Sequence, residues 1–272
     1  MNQKMSQLMS AAFLLLAAAS VIVPFLALVS AALQPATTLS PRLEWPSDPQ
    51  WGNFAEAWTS AGFGTLIASS AFIAVVVVPI SIVLATLAGY AMGTMRMKGK
   101  TGLFVLFIAG LTLPFEAIVI PLYFSMRDIG LIDTQWAVIL PLMGAFMPFG
   151  IFWMRTHFES VPQEIIEASQ LDGAGRFRTL IQILLPGATP AVTTYGLLTF
   201  MWAWNQFLLA LILIRDPSKR TAPSGLGTFV QQYGENIPLL AAGTIIVIAP
   251  VVTLYLVFQR KFVAGLVQGA LK

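Results

Sequence analysis

Residues 164–186 read Glu-Ile-Ile-Glu-Ala-Ser-Gln-Leu-Asp-Gly-Ala-Gly-Arg-Phe-Arg-Thr-Leu-Ile-Gln-Ile-Leu-Leu-Pro, the long charged stretch of an otherwise apolar chain. The stretch lies between two hydrophobic runs, which is the pattern of a multi-pass membrane protein with one elaborate loop on an aqueous face. Composition agrees: 57% of the 272 residues are hydrophobic and 10% are charged. A soluble domain needs more charge than that. At about 20 residues per helix plus loops, the length leaves room for about six spans and no sizeable soluble domain.

Apolar runs long enough to cross a bilayer occur at about Met9–Leu33, Thr65–Met92, Gly102–Phe124, Thr134–Trp153, Ala188–Ile214 and Leu239–Phe258. The expected fold is therefore an all-α membrane protein, a single transmembrane domain over 1–272 with six helices and both termini on one side. The first run is too long for a signal peptide and carries Pro24, so it is expected to stay as a membrane helix. Lys and Arg placement orients the chain. Lys4, Arg96, Lys98, Lys100, Arg155, Arg176, Arg178, Arg260, Lys261 and Lys272 fall on one face, against Arg42, Arg127, Arg215, Lys219 and Arg220 on the other. The richer face is expected to be cytoplasmic, with loop 155–186 on it. The cluster Arg215, Lys219 and Arg220 is a local exception to this rule.

Each expected span holds at least one proline, which predicts bent helices. Ala85, Gly89 and Gly93 recur every four residues in the second span, so one helix face permits close backbone approach. The outer segment 34–64, rich in Pro and Trp, is expected to be irregular rather than folded. The connection Arg215–Pro238 is expected to be a flexible probe.

Several chemistries are excluded by residue content. With no cysteine, there are no disulfides, thiolate metal sites or Cys nucleophiles. The net charge of +3 is scattered among loop ends, which argues against a nucleic-acid partner. Gly93-Thr-Met-Arg-Met-Lys-Gly99-Lys-Thr101 superficially resembles a phosphate-binding loop, but its glycine spacing is five residues rather than four and it follows an apolar helix. Nucleotide hydrolysis must then come from another chain. For the lone His157 the sequence establishes no pairing with a serine or carboxylate, so the chain is expected not to be an enzyme.

Two polar features fall inside the spans: Glu116 in the third, and Asn205-Gln206 in the fifth. A charge at mid-bilayer costs roughly 3 kcal/mol, so Glu116 should face the bundle interior, a cavity or a hydrogen-bond partner. These three residues are candidates for a translocation pathway, with interhelical hydrogen bonding as the structural alternative.

In the loop, Ser160-Val161-Pro162-Gln163 suits a helix start with a capping hydroxyl. Ile165, Ala168 and Leu171 then share one apolar face, and Asp172-Gly173-Ala174-Gly175 breaks the helix. The expected product is a short surface helix shaped for a groove on a soluble partner.

Glu167-Ala168-Ser169, Gly173, Ile183 and Leu185-Pro186 at their spacing resemble the coupling-loop signature of ABC importer permeases. Ala88-Gly89-Tyr90-Ala91, Pro121-Leu122-Tyr123, Gly130-Leu131-Ile132-Asp133-Thr134, Ile139-Leu140-Pro141, Trp204-Asn205-Gln206-Phe207 and Gln259–Leu266 extend the likeness to the carbohydrate-uptake, maltose-permease type, from about residue 62 onward. Ser169 stands where that pattern has a second alanine, and Gln206 where it has an acidic residue. The resemblance implies a permease moving a sugar or sugar-like solute across the bacterial inner membrane by alternating access, paired with a second permease and embedded in lipid. It further implies two ATPase subunits, which bind the ATP and Mg, and an external solute-binding protein. Coupling to the ATPase would fall on Glu164, Glu167, Ala168, Ser169, Asp172, Gly173 and Arg176. The alternatives are an ABC permease for a phosphorylated polyol, polyamine or peptide, and a secondary transporter. The latter would need a row of ionisable residues through the membrane, which Glu116 alone does not supply.

Overall fold

The computed structural model of the chain describes residues 3–35, 38, 44–231 and 234–270. Arg42 and Lys272, both counted in the charge asymmetry, lie outside them. The helices are α1 (Gln3–Ala32), α2 (Gly52–Ser60), α3 (Phe63–Thr94), α4 (Lys100–Leu111), α5 (Phe115–Asp128), α6 (Trp136–Glu159) and α7 (Gln163–Leu171). A single turn α8 (Arg176–Arg178), a π-helical segment Thr179–Leu184 and a single turn α9 (Leu185–Gly187) lead to α10 (Thr189–Trp204) and α11 (Leu208–Leu213). After 3-10 turns at Pro217–Lys219 and Ala222–Phe229, the two-residue strands β1 (Val230–Gln231) and β2 (Gly234–Glu235) pair antiparallel, and α12 (Ile237–Ala270) follows.

Among the described residues four helices are long and apolar enough to cross a membrane, or six if each of two bent pairs is one span. The first bent pair is α4 and α5, which meet at 98°. The cause is local: Pro114 has no N–H to give and holds extended dihedrals at the start of α5, and a proline disfavours helical dihedrals at the residue before it. The second pair runs from Arg176–Gly187 into Thr189–Trp204 at 81°. Prolines stand at both breaks, Pro114 at the first and Pro186 and Pro190 beside the second, but a proline does not by itself break a helix. Pro24, Pro79, Pro141, Pro148 and Pro250 lie within uninterrupted helices, and Pro190 sits in the first turn of α10, where its missing N–H costs nothing.

The contacts divide the chain into two units. The first comprises 1–64 and 225–249. In it, the C-terminal carbonyls of α1 are satisfied by Asn53 Nδ2, which donates to Ala32 O and Gln34 O at 2.8 Å each. Asn53 belongs to α2, so the segment 34–64 is not irregular throughout: it folds a helix that buries Asn53 and Ala57, with Asn53 turned to the end of α1. Trp45, Trp51 and Trp58 remain exposed. Phe63 and Phe229 pack with ring centroids 6.5 Å apart over Gly243, where a Cβ would lie 3.0 Å from the Phe229 ring.

The second unit, 65–224 and 250–272, holds the broken spans, the loop between α6 and α10 and the first part of the connection after α11. Its α3 is apolar on all sides, and Ser70, Ile73, Ala74, Val77, Ser81 and Ala85 form a buried stripe at three- and four-residue spacing. The small-residue face of α3 packs within the chain. A Cβ on Gly89 would lie 2.5 Å from Met154 Cβ, and one on Gly93 would lie 2.8 Å from Phe158 Cβ, so backbone contact between α3 and α6 requires glycine at both. Beside them, Gly150 of α6 leaves room for the Tyr195 ring of α10.

Candidate functional site

The loop between α6 and α10 starts differently from the expected capping box. Ser160 Oγ donates to His157 O at 2.7 Å and so closes α6, while α7 begins after Pro162 with no side-chain cap. Its first turn carries Glu164, whose charge suits the positive end of the helix dipole. The C-terminus of α7 is a Schellman turn: Ala174 N donates to Ser169 O at 2.9 Å and Gly173 N to Gln170 O at 3.0 Å, with Gly173 at φ 77°. A Cβ on Gly173 would meet nothing within 4 Å, so the demand for glycine there is conformational and not steric.

The structure separates the seven loop candidates into two groups. Glu164, Glu167, Ala168, Asp172, Gly173 and Arg176 are exposed, and the Glu167 carboxylate accepts from Gln163 Nε2 at 2.9 Å. Ser169 is 3% exposed and faces the chain itself, so it offers no surface to a partner. Two residues outside the candidate set belong with the exposed group: Leu171, 90% exposed, and Phe177, 70% exposed. Their signal in the sequence is an apolar residue on either side of a Gly-rich turn in a charged loop. The loop is also fastened to α3, because Tyr90 Oη donates to Arg176 O at 3.1 Å.

Glu116 lies in the first turn of α5, directly after the break at Pro114, and is exposed instead of buried in the bundle. No side chain among the described residues bonds to it. Asn205 caps the C-terminus of α10 and is exposed. Gln206 serves the backbone: its Oε1 accepts from Leu209 N at 3.2 Å and caps α11, and its carbonyl accepts from Thr221 Oγ1 at 2.6 Å. The amide oxygen accepts from a first-turn N–H, as a carboxylate at a helix start could. Fifth-span polarity therefore sits in a helix break, Asn205–Phe207, between α10 and α11.

The connection after α11 is pinned rather than flexible over its first half. Asp133, at φ 67°, accepts from Arg215 N at 3.1 Å and Asp216 N at 2.9 Å through Oδ1, and from Lys219 Nζ at 3.3 Å through Oδ2. Ser69 Oγ donates to Lys219 O at 2.6 Å, and Ser70 Oγ accepts from Ala222 N at 2.8 Å. Arg220 donates to Ile214 O at 2.9 Å. Lys219 and Arg220 are thus engaged by their own chain. The Asp216 amide, with the Lys219 ammonium, holds the Asp133 carboxyl below its ordinary 3.8, and hydrogen bonds from Ser218 lower Asp216. The bond to Asp133 raises Lys219 in turn.

The glycine run 93–99 is a helix end and a turn, with Gly99 at φ 77° opening α4 and no strand before it. It has no phosphate-loop geometry.

Residues 81–267 match the family described as the inner membrane component of binding-protein-dependent transport systems. The chain belongs to that family. The matched region contains the loop, both helix breaks and the Asp133 network. The permease is 33% identical to the arabinooligosaccharides transport system permease protein AraQ of Halalkalibacterium halodurans, over 92% of this chain and 91% of that one. It is 30% identical to the diacetylchitobiose uptake system permease protein NgcG of Streptomyces coelicolor, over 97% and 88%. Its fold is shared with a chain of a bacterial ABC transporter involved in import of the acidic polysaccharide alginate, at TM-score 0.81 and 24% identity, covering 95% of this chain and 97% of that one. The permease is a transport subunit, and its family places it in the membrane.

Proposed function

We propose that this permease is one of two transmembrane halves of an ATP-driven importer for a sugar or sugar-like solute, spanning the bacterial inner membrane six times with both termini in the cytoplasm. The observation that carries the coupling assignment is the exposed face of α7 and its turn: Leu171 and Phe177 project from a charged loop outside the apolar helices. Large apolar side chains in such a place mark a protein interface. The partner is an ATPase pair that binds ATP and Mg, and Glu164, Glu167, Ala168, Asp172, Gly173 and Arg176 surround the two apolar anchors. Closure of the ATPases on ATP would move α7 and shift the permeases between inward- and outward-facing states.

The solute class rests on the relatives, two of which are named for oligosaccharides. Glu116 and Asn205 are the pathway candidates because both lie exposed at helix breaks. Irregular backbone at membrane depth is tolerated where it lines a cavity or is covered by protein. An external binding protein would deliver the solute to the opposite face. Proteoliposomes holding the complete complex test this, with uptake of arabino-oligosaccharides and diacetylchitobiose followed under Mg-ATP. Expected is uptake of a sugar that requires ATP and the binding protein, lowered by Glu116→Gln and Asn205→Ala with the ATPases still bound. Uptake driven by an ion gradient without ATP overturns the reading.

A further inference from the structure

Ser169 is the one buried residue of α7, and its hydroxyl meets that of Thr179 at 3.0 Å, with Thr179 1% exposed. Hydrogen accounting fixes the direction of this bond. Ser169 has a single hydroxyl hydrogen, which it donates to Ile166 O at 2.7 Å, so the hydrogen between the two hydroxyls comes from Thr179.

Thr179 is also the first residue of the π-helical segment Thr179–Leu184. The inner side of that segment is rooted in the helix bundle, since Leu180 and Leu184 are buried with Met154, Phe158 and Tyr195. A π turn holds more residues than an α turn and is a recurrent feature of functional sites in helices. The outward-facing helix and the start of the fifth span are therefore joined at the residue where helical winding changes.

Two kinds of contact cross this joint. Ile166 is half-buried and packs on the same apolar core, but apolar packing is non-directional and lets one surface slide over another. The Ser169 to Thr179 bond is directional, and displacement of α7 by more than a few tenths of an ångström breaks it unless the π segment follows. An alanine at 169 retains the packing and loses the directional link.

Resting on the docking assignment above, we infer that Ser169 is a positioning residue: through Thr179 it fastens α7 to the π segment, so that motion imposed on α7 by the ATPases reaches the fifth span. The cysteine-free chain permits a direct test in the complete complex. Nitroxide pairs are placed at Gln170 and Thr101, and separately at Gln182 and Thr101, and distances are measured before and after trapping with Mg-ATP and vanadate. In the parent chain both pairs shift. In Ser169→Ala and in Thr179→Val the Gln170 pair still shifts, while the population of shifted Gln182 pairs falls roughly threefold to tenfold. The double variant is no worse than either single one, and Ser169→Thr, which keeps a hydroxyl, restores the shift.

Equal Gln182 shifts in every variant overturn the inference, as does loss of the ATPases from Ser169→Ala and Thr179→Val, which would make the pair an assembly contact. Leu171→Glu serves as the separate control. If it leaves the ATPases bound, the docking assignment itself fails, and the outcome is distinguishable from failure of the hydroxyl pair alone.

Discussion

The connection between α6 and α10 turns Leu171 and Phe177 outward and leaves Glu164 and Asp172 without ion pairs among the described residues, whereas the connection after α11 bonds Asp216, Lys219 and Arg220 within the chain, Lys219 to Asp133 of the α5–α6 turn. Both are charged loops of similar length. One presents unsatisfied surface and is held from behind by a Schellman turn, a tyrosine and a hydroxyl pair. The other is closed by a single carboxylate that accepts three donors. On the docking assignment proposed above, the difference teaches that charge density alone does not mark the docking loop, and that the large apolar side chains exposed beside its Gly-rich turn set it apart.

The comparison breaks most decisively at the apolar anchors. Leu171→Glu combined with Phe177→Glu is expected to reduce co-purification of the ATPases by about thirtyfold or more, the scale of interface hot spots, while the permease still inserts and pairs. Gly173→Val, which forces a β-branched residue to positive φ at a cost of about 1–2 kcal/mol, should weaken the same association less. Retention of the ATPases in the double variant would mean that the two loops do not differ in the way described.

A smaller effect is expected on the pinned side. Asp133→Ala removes the acceptor for Arg215 N, Asp216 N and Lys219 Nζ, so trypsin should cut after Arg215, Lys219 and Arg220 several times faster, with ATPase association unchanged. Unaltered cleavage kinetics would show the carboxylate to be dispensable for the loop.

The smallest effect is in pH. Asp133 and Asp216 are lowered from 3.8, so their contribution is complete above that value and is lost as pH falls below it; Lys219 is raised from 10.5, so its contribution is present below that value and lost as pH climbs beyond it. Protection of the Arg215 and Asp216 amides against hydrogen exchange, corrected for the intrinsic pH dependence of exchange, should therefore be flat between these limits and decline outside them. Asp133→Asn keeps an oxygen for the two amides and removes the titration, and a profile in that variant identical to the parent's on the acid side would assign the decline to other groups.

The sequence by itself determined the membrane class, the run of apolar helices, the family resemblance, the exposed surface helix of the loop and the need for glycine at 173, because each is written in local composition, period or dihedral demand. Among the described residues the all-helix expectation held apart from β1 and β2, and the close backbone approach at Ala85, Gly89 and Gly93 was legible from four-residue spacing, while its partner α6 was not. Only the tertiary structure decided which way side chains on those elements point. Ser169 looks in the sequence like one more surface residue of the loop, and becomes buried because Thr179, ten residues on, is folded against it. Asp133 lies 86 residues from Lys219, and Gln206 takes its capping role from a helix break that no proline announces. Periodicity reports the solvent exposure that a helix repeats every turn. It carries no information about which distant segment supplies a hydrogen-bond partner, and that is where the permease keeps the contacts joining its loops to its helices.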